Sequence, residues 1–338
     1  MIGSTEASDG TSSDILLIAP LNFYSFAKAL KSDLESGGRN VILANDEYPA
    51  NMVGKIMGKM SLYKLLSWLT RMYFRKKFLN GKKYEICIII KGRGLRAPLI
   101  SDLKRASNRI VGYNFDSFAF NSSPLAWCKL VSKYATFDFD DAARYSLPRV
   151  DLFSFSKPID ADKKVTFEIS AILRNHSERL GFVDKTLNSL CSKNAFIYIY
   201  ELNFITFFIN FVKNPYLYIK YWRFINFKSL PGEEYDRVLR ESSFTIDFAH
   251  PKQSGITMRC FEAAAARTKI ITNNRHVLKH PFFDQENVVV FDSGSAALRA
   301  AVTKIQGAMP PARHRSSHEF LQDLLSDPSA STIRSLNS

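Results

Sequence analysis

Short apolar runs alternate with helix-length segments along almost the whole chain, and the alternation runs twice. "DILLIAP" (14–20), "NVILA" (40–44), "EICIIIKG" (85–92) and "RIVGYNFD" (109–116) read as buried strands. Between and after them lie helical stretches at 26–38, which stops on two glycines, at 52–79, at 97–107 and at 125–134. "ATFDFDDAARY" (135–145) reads as a strand end running into a helix. The pattern lapses at "DLFSFSKPIDADKK" (151–164) and then restarts. Strands are expected at 165–172, 195–202, 244–250, 269–274 and 287–292. Helices are expected at 177–190, 203–224 with a break at Pro215, 233–242, 256–267 and 295–306. Strands separated by helices imply parallel βαβ units.

The fold class expected is therefore α/β, with two Rossmann-like doubly wound domains facing a cleft and a ligand at the carboxyl ends of the strands. A chain of 338 residues is long enough for two such cores. The expected boundaries are a disordered N-terminus at 1–13, a first domain at 14–155, a second at 156–306 and a flexible tail at 307–338 rich in Ser, Pro and His.

The net charge of +14 calls for an acidic partner, and its location narrows the choice. Residues 51–84 carry nine Lys and Arg and no acid; residues 202–232 carry four and no acid. These cations sit among bulky apolar side chains rather than on a polar groove, and no nucleic-acid-reading motif is present, so nucleic acid is not the expected partner. Segments of this composition are either interfacial helices or core helices. The N-terminus lacks an apolar signal core and no run of 18 apolar residues occurs, so the chain is expected to be cytoplasmic. Cys87, Cys128, Cys191 and Cys260 have no ligand spacing and read as small core residues in a reducing compartment.

Chemistry concentrates after the strand that ends near Asp247. The loop "AHPKQSG" leads into a helix starting near Ile256. Gly255 permits close backbone approach, Thr257 offers a hydroxyl near the first turn, and the free N–H groups of a helix start favour an anion. Lys252 and Arg259 add charge, Arg259 as a fork suited to phosphate. Glu262 lies on the same face three residues on, where its carboxylate can accept from ribose hydroxyls. A surface Arg–Glu pair on a core helix accounts equally for the last two. The second domain's first loop, "RNHSER" (174–179), places Arg174, His176 and Arg179 around another helix start, with Ser177 as its cap in the plainer reading. It has no glycine-rich dinucleotide fingerprint.

The 250–274 stretch, with His250, Pro251, Lys252, Gln253, Gly255, Thr257, Met258, Arg259 and Glu262 followed by Thr272 and Asn273, resembles the donor-binding segment of bacterial GT-B glycosyltransferases of surface polysaccharide synthesis. These include lipopolysaccharide and capsule proteins and the spore-maturation-protein-like group. The resemblance extends over roughly residues 14–305. The chain departs from the group in carrying Ala265–Ala266–Arg267 where a glycine often precedes the strand. The resemblance implies sugar transfer from a nucleotide sugar to a glycan or lipid-linked acceptor, with donor in the second domain and acceptor in the first. It implies no cofactor and no bound metal. Asp138 and Asp140 form an Asp-x-Asp pair, but at a strand-to-helix junction where Asp140 or Asp141 serves as a helix cap. Asp116 and His250 are the candidate bases for the acceptor hydroxyl; Lys91 is the candidate acceptor-side cation. An enzyme of lipid-linked sugars would use 52–79 and 203–228 to lie peripherally on the anionic inner face of the membrane. A sugar-nucleotide epimerase or hydrolase on the same fold, or a basic non-enzymatic membrane- or nucleic-acid-binding protein, are the alternatives.

Overall fold

The computed structural model describes residues 14–326 apart from 22, 23, 52, 55, 56, 58, 59, 61, 160–162, 292 and 293. The N-terminal segment 1–13 lies outside the described residues. Two units form: one from the chain up to Val150 together with the chain from Ser317, the other from Asp151–Ser316.

In the first unit five strands, β1 (Asp14–Ala19), β2 (Asn40–Asn45), β3 (Tyr84–Ile90), β4 (Ser107–Asn114) and β5 (Lys133–Thr136), form a wholly parallel sheet in the order β2-β1-β3-β4-β5. The runs IIe-rich enough to be buried on both faces do so: Leu16, Cys87 and Ile89 lie in one core with the helix residues Leu99, Leu103 and Phe74. The helices are α1 (Tyr24–Ser36), α2 (Tyr63–Phe74), which runs into a π-helical turn at Arg75–Leu79, α3 (Ala97–Ala106) and α4 (Phe139–Tyr145). Residues 125–134 are not the expected helix. They form two 3-10 turns, Ser123–Ala126 and Cys128–Leu130, and then enter β5, because Trp127 turns fully inward beneath Gly92 and Gly112.

The second unit has six strands, β6 (Phe167–Arg174), β7 (Ala195–Tyr200), β8 (Ile225–Asn226), β9 (Ser242–Asp247), β10 (Lys269–Thr272) and β11 (Val288–Val290). They are parallel, in the order β11-β10-β9-β6-β7-β8. Read from the other edge this is the 3-2-1-4-5-6 order of a dinucleotide-binding sheet, with its switch point between β6 and β9. The helices are α5 (Arg179–Leu190), α6 (Phe204–Lys213), α7 (Pro215–Lys220), α8 (Gly232–Arg240), α9 (Met258–Ala265) and α10 (Ser295–Ile305). Both units are thus Rossmann-like.

Three expectations change. The break between units falls at Val150/Asp151, not 155/156. The expected loose tail contains a helix, α11 (Ser317–Leu325), that belongs to the first unit. Its Phe320 is fully buried edge-on to Tyr113 at 4.9 Å, and Lys133 Nζ donates to the Asp323 and Ser326 carbonyls at 2.8 and 2.9 Å, placing a cation at the helix C-terminus. Of the cysteines, Cys87, Cys128 and Cys260 are buried as expected, but Cys191 is exposed, where it ends α5 with φ of 52°.

Candidate functional site

The carboxyl ends of β6 and β9 are neighbours, because the register pairs Ile169 with Phe244 and Ser170 with Thr245. The two loops identified in the sequence, 70 residues apart in the chain, therefore meet. β6 ends at Arg174. Asn175 is pinned by its N–H to the Tyr200 carbonyl at 2.9 Å and by its side-chain amide to Glu201 at 2.7 Å. His176 and Ser177 follow, Ser177 in the left-handed region (φ 59°). Ser177 is not the cap of α5. That position is held by Glu178, whose side chain makes no capping hydrogen bond.

On the other side, Asp247 ends β9 and is buried. Its Oδ1 accepts from the Thr257 hydroxyl at 2.7 Å and its Oδ2 from the Thr272 hydroxyl at 3.1 Å; the Cys260 thiol approaches Oδ2 at 3.6 Å. Thr272 stands directly opposite Asp247 in the β9–β10 register. Thr257 is the N-cap residue of α9, but its hydroxyl is spent on Asp247 and makes no capping bond. Both α5 and α9 thus start without a side-chain cap, and an uncapped helix start is a favourable place for an anion.

The loop between β9 and α9 is held from behind. The Asn273 amide donates to the Ala249 carbonyl and accepts from the Ala249 N–H, both at 2.8 Å. The Asn274 amide donates to the Ser254 and Gly255 carbonyls at 3.2 and 3.0 Å. Within the loop, the Gln253 N–H reaches the His250 carbonyl at 2.8 Å, and the Lys252 N–H donates to His250 Nδ1 at 3.1 Å. Gly255 is buried, its carbonyl fixed by Asn274; Lys252 is exposed.

Electrostatics shows which side chains converge. Burial, reinforced by the charges of Arg179, Arg174 and His250, pulls His176 down to about 4, although the ring still meets solvent. Burial and the Arg259 charge, partly offset by Asp247, pull Arg179 down to about 10. Burial also works against the charge of Arg259, but Tyr235, Asp247 and Glu262 outweigh it and hold Arg259 above its usual value. Arg259 donates to the Ile246 carbonyl at 3.2 Å. Arg174, Arg179 and Arg259 are therefore the cations of one cluster that also holds the His176 and His250 rings, with buried Asp247 as the counter-charge to Arg179 and Arg259. Such crowding of cations in partial burial is unfavourable by itself and is relieved by an anion.

Glu262 stands in the same group and does not form a plain surface pair with Arg259. Its Oε2 accepts from the Tyr235 hydroxyl at 2.5 Å, and burial raises its pKa against the pull of Tyr235 and Arg259. A cavity of about 510 Å³ opens beside the start of α5, lined among others by Asn175, Ser177, Lys185, Asn210, Tyr218 and Phe248. It borders the β6 loop; the cations of the β9 side are not in its wall. Its size suits a small ligand.

The departure noted at Ala265–Ala266–Arg267 has a structural answer. Arg267 itself takes the left-handed conformation (φ 54°) that a glycine would adopt. The turn closes through the Thr268 N–H to the Ala263 carbonyl at 2.8 Å, and Arg267 Nε donates to the Pro310 carbonyl at 3.0 Å.

In the first unit, Lys91 and Asp116 are brought together with each other: Lys91 Nζ lies 2.6 Å from Asp116 Oδ2, and Lys91 has φ of 65°. Beside β2, Asp46 is buried and accepts from the Arg93 N–H at 3.0 Å, while Arg93 forks onto Glu47 at 2.7 and 3.2 Å. Asp138, not Asp140 or Asp141, caps α4, its Oδ1 accepting from the Asp140 and Asp141 N–H groups at 3.1 and 3.0 Å. Asp141 instead accepts from the Phe118 N–H at 2.7 Å. No cluster of His, Cys, Asp and Glu fit to hold a metal occurs among the described residues.

Residues 214–326, which carry β9, α9 and β10, match the glycosyl transferase-like family model. The match spans about a third of the chain. No curated protein matches the sequence. Among solved structures, the Staphylococcus aureus MnaA–UDP co-structure aligns over 96% of each chain with a TM-score of 0.54 at 8% identity. The UDP-GlcNAc 2-epimerase of Methanocaldococcus jannaschii, in complex with UDP-GlcNAc and UDP, aligns over 96% of this chain and 99% of that one, with a TM-score of 0.51 at 11% identity. The lipopolysaccharide outer core galactosyltransferase WaaB in its apo form covers 92% and 99%, with 0.51 at 9%. At these identities the likeness is one of fold, and the fold is GT-B-like.

Proposed function

We propose that the protein is a glycosyltransferase that takes a sugar from a nucleotide sugar and passes it to a glycan or lipid-linked acceptor of a bacterial cell surface. The observation that carries this reading is the convergence of Arg174, Arg179 and Arg259 on two uncapped helix starts at the switch point, above buried Asp247. In the transfer, the bond from the anomeric carbon to the diphosphate breaks, a bond to the acceptor oxygen forms, and the acceptor's proton passes to a base. The developing charge on the diphosphate is where the three arginines and the helix N–H groups act. These groups supply the positive charge that a metal supplies in other transferases, so turnover should survive a chelator. Gly255 and Thr257 shape the anion's seat, Lys252 and Gln253 border it, and Glu262 receives the ribose hydroxyls through the oxygen that Tyr235 does not hold.

Asp116 is engaged by Lys91, and His250 Nδ1 accepts from the Lys252 N–H. Lys91 is kept as an acceptor-side cation. A lipid-linked acceptor would bring the enzyme to an anionic membrane surface.

The test is calorimetric titration and thermal unfolding with UDP, other nucleoside diphosphates and their sugars. A ligand at 100 times its dissociation constant stabilises by about 2.7 kcal/mol. Absence of any nucleotide-dependent stabilisation would sink the reading. Sugar-nucleotide conversion to an epimer or free sugar without an acceptor would move it to the epimerase or hydrolase class.

A further inference from the structure

Helix α6 has an outer face that no described residue of the second unit covers. Phe204, Ile205, Phe208, Val212, Ile219 and Trp222, from α6, α7 and the 3-10 turn at Trp222–Phe224, are between 57 and 71% exposed. An apolar helix pair belongs in a core, yet only one side of α6 and α7 is in a core: Phe207 of α6, with Leu217, Tyr218 and Tyr221 of α7 and its end, packs inward with Ile199 and Leu180. The inward face is well fixed. Phe207 meets Tyr218 and Trp222 edge-on at 5.4 and 5.8 Å, and Tyr218 is bonded to buried Glu201. Asn203 and Thr206 close a capping box at the start of α6, with the Thr206 N–H donating to Asn203 at 2.9 Å. The element is therefore a set piece of the fold that holds a large apolar surface outward.

We infer that α6 and α7 dock the protein in the plane of an anionic bilayer, with this face entering the boundary between headgroups and acyl chains. Residues 202–232 contain no Asp or Glu, and Lys213, Arg223 and Lys228 flank the apolar side chains. Lys220 is already engaged, 2.5 Å from Asp184. Cations bordering an apolar face match an anionic surface. They oppose a second copy of the same face, which would bring like charges together. With ten residues α6 is too short to cross a bilayer, and no helix among the described residues is long and apolar enough to do so.

The other basic segment differs in kind. In α2 the inward stripe is Leu66, Thr70 and Phe74, and Arg71 forks onto buried Asp102 at 2.6 and 3.3 Å. That arginine is structural and unavailable to lipid. Trp68 on α2 and Trp222 are both exposed, whereas Trp127 is buried, so the two surfaces can be told apart by fluorescence.

The experiment uses the full chain without nucleotide, so its outcome is independent of the donor site. Vesicles of phosphatidylcholine with phosphatidylglycerol are compared with phosphatidylcholine alone at low and high salt. Sedimentation with the anionic vesicles is expected, with a fraction retained at high salt. In Trp68→Phe protein, Trp222 emission should shift to the blue; in Trp222→Phe protein no shift should remain. The triple variant Ile205→Ser, Phe208→Ser, Val212→Ser should lower vesicle partition at least about tenfold and keep the wild-type unfolding midpoint, since these positions are exposed. The pair Lys213→Gln and Arg223→Gln should weaken binding at low salt only. The inference is overturned if wild type does not sediment, if the triple variant sediments like wild type, or if the blue shift follows Trp68. A dimer that the triple variant abolishes, with no vesicle binding, would assign the face to a second copy.

Discussion

Asp247→Asn separates the two things that a counter-charge does at a cation-rich site. The carboxylate has three protein donors, from Thr257, Thr272 and Cys260, and an amide of the same shape keeps an oxygen for one hydroxyl while the threonine hydroxyls rotate to meet the nitrogen. The loop geometry should survive, and the charge is lost. In the free protein Arg179 and Arg259 then lose the acid that offsets their burial. Removing one partner from such a buried arrangement costs about 3 kcal/mol, which at roughly 2–4 °C per kcal/mol lowers the unfolding midpoint of a unit this size by about 6–12 °C. For a bound diphosphate the sign reverses. A negative charge near the anion is gone, and at an effective permittivity near 20 one such charge several ångströms away is worth about 1–3 kcal/mol. The variant should thus be less stable and yet bind UDP about tenfold or more tightly, and added UDP should recover much of the lost midpoint. Calorimetric titration paired with thermal unfolding reads both quantities. Weaker UDP binding in a folded variant would refute the reasoning, because it would make Asp247 an acceptor for the ligand rather than a counter-charge beneath it.

Four further outcomes are expected. Arg259→Ala and Arg174→Ala should each lower kcat/KM for transfer by about tenfold or more, since a charge-assisted hydrogen bond is worth roughly 1.5–3 kcal/mol; full activity in both would remove the diphosphate from this place. Glu262→Gln should weaken nucleotide binding while leaving the fold intact, whereas Tyr235→Phe should lower stability by about 1–2 kcal/mol by stripping a donor from a desolvated carboxylate; a Glu262→Gln protein with wild-type affinity and a lower midpoint would leave Glu262 a purely structural acceptor. Burial, opposed by the Arg93 N–H and aided by the Glu47 charge, raises Asp46 to about 6, so its contribution to stability is present below about pH 3.8 and is lost as pH rises through about 6; Asp46→Asn should therefore stabilise the protein by up to about 3 kcal/mol at pH 7–8 and not at all near pH 3, and a constant offset across that range would contradict it. Arg267→Gly and Arg267→Ala both lose the bond to the Pro310 carbonyl, but only glycine relieves the positive φ, so the glycine variant should unfold about 1 kcal/mol later than the alanine variant; the reverse order would show that the turn is relaxed with a side chain present.

Local signals in the sequence were strong where a segment's own chemistry decided its structure. Parallel strands buried on both faces appear as unbroken apolar runs such as "CIII" and "DILLIA", so the alternation of elements and the fold class were legible. Helix α11 was missed because its apolar signal is short, Phe320, Leu321, Leu324 and Leu325 inside a Ser- and His-rich tail; the surface that buries it belongs to strands two hundred residues earlier. The helix expected at 125–134 failed for a related reason. Its residues have helical spacing, but the space left by Gly92 and Gly112 draws Trp127 inward and breaks the run into turns.

The candidate site shows the same division more sharply. Each of its loops stood out alone: "RNHSER" and "HPKQSGITMRCFE" both read as anion seats, from a helix start and nearby cations. What no local pattern carried was their union, which depends on strand order. Sequence order would set β6 beside β7 and leave β9 remote; the sheet places β6 between β7 and β9, so Arg174 and Arg179 come to Arg259. Asp247 was passed over for the same reason. On its own it is the last residue of a strand, and only the pairing that sets Thr272 opposite it, with Thr257 folded back onto its other oxygen, makes it the buried acid that offsets Arg179 and Arg259. Tyr235 was invisible because α8 lies outside both loops, yet its hydroxyl decides how Glu262 can be used. The candidate site is thus written in the sequence as separate half-sites, and the acid and hydroxyl groups that hold those halves in place become legible only when the sheet brings its strand ends together.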